Sequence, residues 1–404
     1  MTGESPFQMM RPRNQRMPKP SSGPGRCGRW QFLASAVALV IVLALVWVWL
    51  WYYAASIADR TLVAWIERES AAGRIYSCGQ QSIGGFPFRI EVQCTDAAAE
   101  INSSQPPYAI GAKSVFVHAA VYHPTLLVSD IAAPLAVAAQ GQAERYSANW
   151  SHARIGVQGL PPFPENAFVT LDHARIDDVA VGNGGSNKTL FTADRAYLQG
   201  RIVAGSLSNN PVIEGLLELK AATAPTLHPL TAEPIEGEID IVLRGLKDLG
   251  PKPWAERFRE VQAAGGSIEI KRLRLERPDA MVVGTGMLNI NAHGKLDGLI
   301  RVAVVGIDHI VPLIGVDQMI GRGLDRLTGA DHANAQGLGA LDRLVPGLGG
   351  AVRESANATL IDNLKKMGQP TEVDKKPAIL LPLRFSDGWA YLGMLPLGEV
   401  PPLF

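Results

Sequence analysis

Gly84-Gly85-Phe86-Pro87-Phe88-Arg89-Ile90-Glu91-Val92-Gln93-Cys94 is the best-patterned stretch of this chain. The paired glycines make a turn, and the residues after them alternate. Phe88, Ile90, Val92 and Cys94 fall on one face, and Arg89, Glu91 and Gln93 on the other. Successive side chains of a β-strand point to opposite faces, so a period of two reads as a strand with one apolar and one wet side. Such strands belong to antiparallel sheets, because strands buried on both faces run continuously apolar. Pro87 has no N–H to give to a ladder and belongs at the strand start or on an edge.

The same alternation recurs over most of the chain. Ser114 to Val121, Ala167 to Leu171 and Ile176 to Val181 read as short apolar strands bounded by turn residues. In Glu238 to Arg244, Ile239, Ile241 and Leu243 share a face opposite Glu238, Asp240 and Arg244. In Ser267 to Glu276 the apolar phase slips between Ile270 and Leu273, which predicts a bulge. Met287 to Ile307 reads as a hairpin turning over 293–298, with Leu288, Ile290 and Ala292 outbound and Ile300, Val302 and Val304 returning. A last hairpin pairs Ala378 to Phe385 with Trp389 to Leu395 about Ser386-Asp387-Gly388. Helices are few. One over 253–263 starts at a proline and places Trp254, Phe258 and Val261 on one face.

Residues 30–53, from Trp30 through Val40 and Leu45 to Tyr53, carry no charge. At about 1.5 Å of rise per residue they cross the ~30 Å hydrocarbon core as one helix. Arg11, Arg13, Arg16, Lys19, Arg26 and Arg29 precede them, and Trp47, Trp49, Trp51, Tyr52 and Tyr53 crowd the far end. These are the positive-inside signal and the aromatic interfacial belt. A cleavable signal peptide is the rival reading, with Ser56-Ile57-Ala58 as small residues at a cleavage spacing. An apolar run longer than the usual 7–15 residues, closed by bulky aromatics, speaks for an uncleaved anchor. The chain then divides into a basic cytoplasmic tail (1–29), a transmembrane helix (30–53) and a juxtamembrane helix (54–72). Two β-rich regions (73–235 and 236–307), a glycine-rich helical insertion (308–370) and a C-terminal hairpin (371–404) follow. The juxtamembrane helix sets Ala58, Leu62, Trp65 and Ile66 on one face. The fold class is mainly β (α+β): a transmembrane helix followed by a large antiparallel body across the membrane.

Formal net charge is zero, so nothing argues for nucleic acid as a partner. Cys27 falls on the cytoplasmic side, while Cys78 and Cys94 fall on the far side, which in a bacterial envelope is oxidising. A Cys78–Cys94 disulfide would staple the Phe86–Cys94 strand to the segment before it; two buried free thiols are the alternative. Two cysteines are too few for a zinc ribbon, and His118 and His123, the closest histidines, would face opposite sides of a continuous strand. No phosphate loop, nucleophile elbow or H-E-x-x-H helix occurs. Asp177-Asp178 cannot point together from one strand and reads as a solvated strand end. No catalytic residue, metal site or cofactor is expected.

Two stretches carry a resemblance. Gly84-Gly85-Phe86-Pro87-Phe88-Arg89 with its strand to Cys94, and Asp387-Gly388-Trp389-Ala390-Tyr391-Leu392-Gly393 with Leu395-Pro396-Leu397-Gly398 and Pro401-Pro402-Leu403, resemble the opening and close of a bacterial family. That family is the domain of unknown function 2125, and the likeness runs from about residue 40 to the end. It implies inner-membrane anchoring and a β-rich periplasmic body, and supplies no activity. In architecture alone the chain is also similar to the AsmA-like anchored envelope proteins, which present an apolar groove to lipid.

Two functions are then expected of it. In the first, inward strand faces line a groove for phospholipid or another hydrophobic ligand, with Phe88, Ile90, Val92, Ile239, Ile241, Ile300 and Val302 as lining residues. In the second, the protein is a ligand-free scaffold for other envelope proteins, meeting them through the insertion and the apolar C-terminus.

Overall fold

The computed structural model describes residues 26–102, 104, 106–159, 164–179, 187–250, 252–313, 348–393 and 395–404. Most of the basic tail, residues 314–347 of the helical insertion and the side chain of Cys27 lie outside them. Two units divide between Ile57 and Ala58.

Helix α1 runs Arg26–Ala71, and its residues through Ile57 form the first unit. Val40, Leu45 and Trp49 are exposed there, as they are on most sides of the apolar stretch. An all-round apolar, uncovered helix suits lipid rather than water, and this one is long enough to cross a membrane.

The second unit begins with the last turns of α1, which Gly73 stops with φ +78. Everything after it is built on one antiparallel sheet of 18 strands. Short strands β1 (Arg74–Ser77) and β2 (Gln80–Gly84) lie end to end along β3 (Arg89–Ile101). Next come β4 (Tyr108–Ala120) and β5 (His123–Ala139), each paired with the strand before. Then β6 (Glu144–Asn149) and β7 (His152–Gln158) share one position between β5 and β8 (Asn166–Asp178). Sequential pairing continues through β9 (Lys188–Ser206), β10 (Asn209–Ala222), β11 (Ile235–Leu243), β12 (Ser267–Glu276), β13 (Met281–Ile290) and β14 (Leu296–Val305). Strand β16 (Lys376–Ser386) closes the series on β14. Its far edge takes β15 (Gln369–Val373) and β17 (Trp389–Leu392), and β18 (Leu395–Glu399) pairs with β17. The sheet passes without a break through the 235/236 boundary.

Directly opposed residues of an antiparallel pair share a face. One row can therefore be followed across the sheet: Val92, Val117, Ser129, Ile155, Val169, Leu198, Leu217, Ile239, Leu273, Gly284, Val302 and Leu381. Eleven of these twelve are apolar or glycine, so one continuous apolar face extends from β3 to β16.

Two parts of that face are closed by helices. Ile300, Val302, Val304 and Leu381 pack under α3 (Ile307–Ile310) and α4 (Leu348–Met367), whose Leu364 is fully buried. Burial of each such aliphatic side chain contributes about 1.5–3 kcal/mol. Helix α2 (Trp254–Ala263) brings Val261 and Phe258 onto Leu246 and Ile290, joined by Leu403 and Phe404.

Several expectations need correction. Phe88 does not open the inward row; it stands in the turn, 63% exposed, because the ladder starts only at Arg89. Ala167 to Leu171 and Ile176 to Val181 are not separate strands. The first and the beginning of the second belong to β8, which stays paired with β9 through the left-handed His173 (φ +51). Trp254 is 72% exposed on α2, and Arg257 is buried instead, where it donates to the Asp248 and Gly250 carbonyls. Asp177 is buried, not solvated. The apolar C-terminus is not a free surface: Phe404 packs beneath the Arg259 guanidinium, 4.9 Å from its ring centroid. His118 and His123 lie on the neighbouring strands β4 and β5, not on one strand. The bulge predicted between Ile270 and Leu273 is present.

Candidate functional site

Where α1 passes over the first strands, the apolar face is covered but not filled. On the floor, Val92, Cys94, Ala97 and Ala99 of β3 stand opposite Val117, Val115, Ala112 and Ile110 of β4. From β5, Ile131 pairs with Val115 and Leu135 with Ala112. Each strand must slip phase once to keep this face apolar. In β3 the slip is at Asp96, whose φ is +52, and in β4 between Ala112 and Ser114. Leu62, Trp65 and Ile66 of α1 form the opposite wall, with Tyr76, Ser77, Cys78 and Gln81 along one side.

Cavity volume between wall and floor is about 380 Å³, in the size range of small-molecule pockets. The cause is side-chain size. Ala97, Ala98, Ala99 and Ala112 keep the floor low, while Trp65, tilted on Tyr76 at 4.7 Å between ring centroids, holds the helix off it. No charged side chain lines the cavity. Charges stay at its margin: Glu69 with Arg74, and Gln81 Nε2 donating to Asp59 Oδ1 at 3.4 Å. Such a space accepts an apolar ligand, and the residues around it offer no acid, base or nucleophile.

Cys78 and Cys94 are joined in a disulfide, with sulfurs 2.12 Å apart and Cα atoms 5.6 Å apart. The bridge ties the corner between β1 and β2 to the middle of β3, and both cysteines line the cavity.

Of the other residues expected to line a groove, only Val92 does so here. Ile90 is half-buried further along β3, outside the lining. Ile239 and Ile241 lie on the continuous apolar face at β11, half-buried and in neither closed core. Ile300 and Val302 are 5% and 3% exposed and belong to the packed core under α4. The helix face of Leu62, Trp65 and Ile66 was legible in sequence, but as a stalk. Ile110, Ala112, Ile131 and Leu135 were missed, because the phase slips break their period of two.

The opposite side of the sheet carries a shallow depression of about 490 Å³ with Lys271, Arg272, Arg274 and Arg301 around it. Glu214, Glu238, Glu276 and Asp374 pair with the first three of these cations. Lys271 and then Arg201 hold the Glu214 carboxyl below the usual carboxylate range. Asp177 accepts from Arg175 Nε at 3.0 and 2.8 Å and from Thr189 at 2.8 Å. The Arg175 bond is the main reason its carboxyl also lies below its ordinary value. These are neutralised surface pairs of small net energy. Among the described residues no three His, Cys, Asp or Glu side chains are grouped to hold a metal ion.

Residues 51–401 match a bacterial family described as "Uncharacterized protein conserved in bacteria (DUF2125)". No curated protein matches the chain.

Proposed function

We propose that this chain, which belongs to the DUF2125 family of bacteria, is an inner-membrane-anchored periplasmic protein that holds a lipid acyl chain in the groove between α1 and strands β1–β5. The observation that carries the reading is an uncharged cavity of about 380 Å³ walled by the same helix that provides the apolar segment. At roughly 30 Å³ per water-sized group, that space takes on the order of ten methylenes. Release of such a chain into water would cost about 0.8 kcal/mol per methylene. Exchange with a bilayer replaces one apolar surrounding by another and is close to neutral, so the chain loads from and returns to lipid, not water.

The test is site-specific photocrosslinking of the full chain in bacterial membranes. Benzoylphenylalanine in place of Ile110, on the groove floor, is expected to yield lipid adducts by mass spectrometry. The same group at Gln93, exposed on the other face of β3, is expected to yield none. Equal yields at both positions, or no lipid adduct at Ile110, would end the reading.

A further inference from the structure

The strands that floor the groove end in a cluster of exposed aromatic side chains. Phe86 and Phe88 flank Pro87 in the turn before β3 and are 51% and 63% exposed; Tyr122, in the turn between β4 and β5, is 73% exposed. The Val121 N–H donates to the Phe88 carbonyl at 2.9 Å, and Arg89 pairs with Ala120, so the two turns stand side by side. Their presentation is built in. Gly85 has φ +95, a Cβ there would lie 2.7 Å from the Arg89 carbonyl oxygen, and the Arg89 N–H donates back to the Gly85 carbonyl at 2.9 Å. Lone apolar residues on a surface need no explanation, whereas grouped ones mark an interaction site.

The position of this tip indicates what meets it. Within the second unit, α1 runs beside β1 and β2 with Glu69 at Arg74, Trp65 on Tyr76, and Asp59 at Gln81. Falling helix numbers accompany rising strand numbers. The Gly84–Phe88 turn therefore lies at the end of the unit where Ala58 enters from the apolar segment. The other end of the same strands carries the polar turn Gln140-Gly141-Gln142. A 13-residue strand puts the two ends on the order of 40 Å apart. Aromatic rings with one apolar and one wet side favour the headgroup layer of a bilayer.

We infer that Phe86, Phe88 and Tyr122 seat in the interfacial layer of the lipid bilayer and hold that end of the sheet against the membrane. The contact needs the anchor but not an occupied groove, so it stands or falls separately from acyl-chain binding. The experiment uses the full chain with Cys27→Ser, reconstituted in phosphatidylethanolamine–phosphatidylglycerol vesicles. A nitroxide is attached at Tyr122→Cys or, as the distal control, at Gln142→Cys; Cys78 and Cys94 are bridged and do not label. Saturation measurements with oxygen and with a water-soluble nickel chelate report depth. The oxygen-to-nickel accessibility ratio is expected to be several-fold higher at Tyr122 than at Gln142, and a label at Phe88→Cys should repeat it. An equal ratio would place the tip in water and overturn the inference. Low accessibility to both reagents would place it in a protein contact and overturn it as well.

Discussion

Removing the Cys78–Cys94 bridge should loosen one corner of the sheet and leave the rest intact. The bridge spans a sequence separation of 16, and a loop of that size constrains the unfolded chain by about 3 kcal/mol in the chain-entropy account. Strands β1 and β2 are only four and five residues long, lie along a single neighbour and contribute no buried residue to either packed core. Their opening is thus a local event, and the bridge acts on that event more than on global unfolding. At about 1.4 kcal/mol per decade, the double variant Cys78→Ala/Cys94→Ala should lose roughly a hundred-fold in amide protection over residues 74–84. Hydrogen exchange with mass spectrometry on the full chain in vesicles reads this directly, with residues 281–305 as internal reference. Protection over 74–84 within about threefold of wild type would refute the reasoning, and so would an equal loss in both regions. Because Ser77, Cys78 and Gln81 also line the cavity, the same variant should give fewer lipid adducts at Ile110.

The glycine pair before the first long strand supplies a matched test. A Cβ on Gly84 meets nothing within 4 Å, whereas Gly85 has φ +95 and its Cβ would strike the Arg89 carbonyl. Gly84→Ala should leave thermal stability nearly unchanged, while Gly85→Ala costs about 1–3 kcal/mol. Ala112→Phe, which fills the groove floor from its centre, is expected to lower lipid crosslinking at Ile110 without a loss of Tm. The Asp177 carboxyl is held low by Arg175, so its contribution to stability is complete above the ordinary carboxylate pKa and is lost as pH falls through the depressed one. Denaturation midpoints at pH 7 and pH 3 should therefore separate further in the wild type than in Asp177→Asn.

What was legible in the sequence was local. Alternation needs only neighbours, so the strand from Arg89 to Cys94, the β13–β14 hairpin and the slip between Ile270 and Leu273 could be read from a few residues each. The phase of Phe88 could not. A proline turn continues the same apolar spacing without being part of the ladder, and only hydrogen bonding tells them apart. Broken patterns misled for a related reason: His173 in left-handed backbone looks like a strand boundary, yet its neighbours stay paired with β9.

Sequence by itself determined that this chain has an uncharged segment long enough to span a membrane, an antiparallel sheet with one apolar face, and two cysteines able to bridge. It also determined which residues point inward. Tertiary structure alone decided what covers them. Ile300 and Val302 became packed core because α4, distant in the chain, lays Leu360 and Leu364 over them. The face of Val92 and Cys94 became a cavity because α1 rests on Trp65 above a floor of alanines. Side-chain direction is set by the backbone within two residues, whereas a core and a groove differ only in the volume that remote elements bring to the same face.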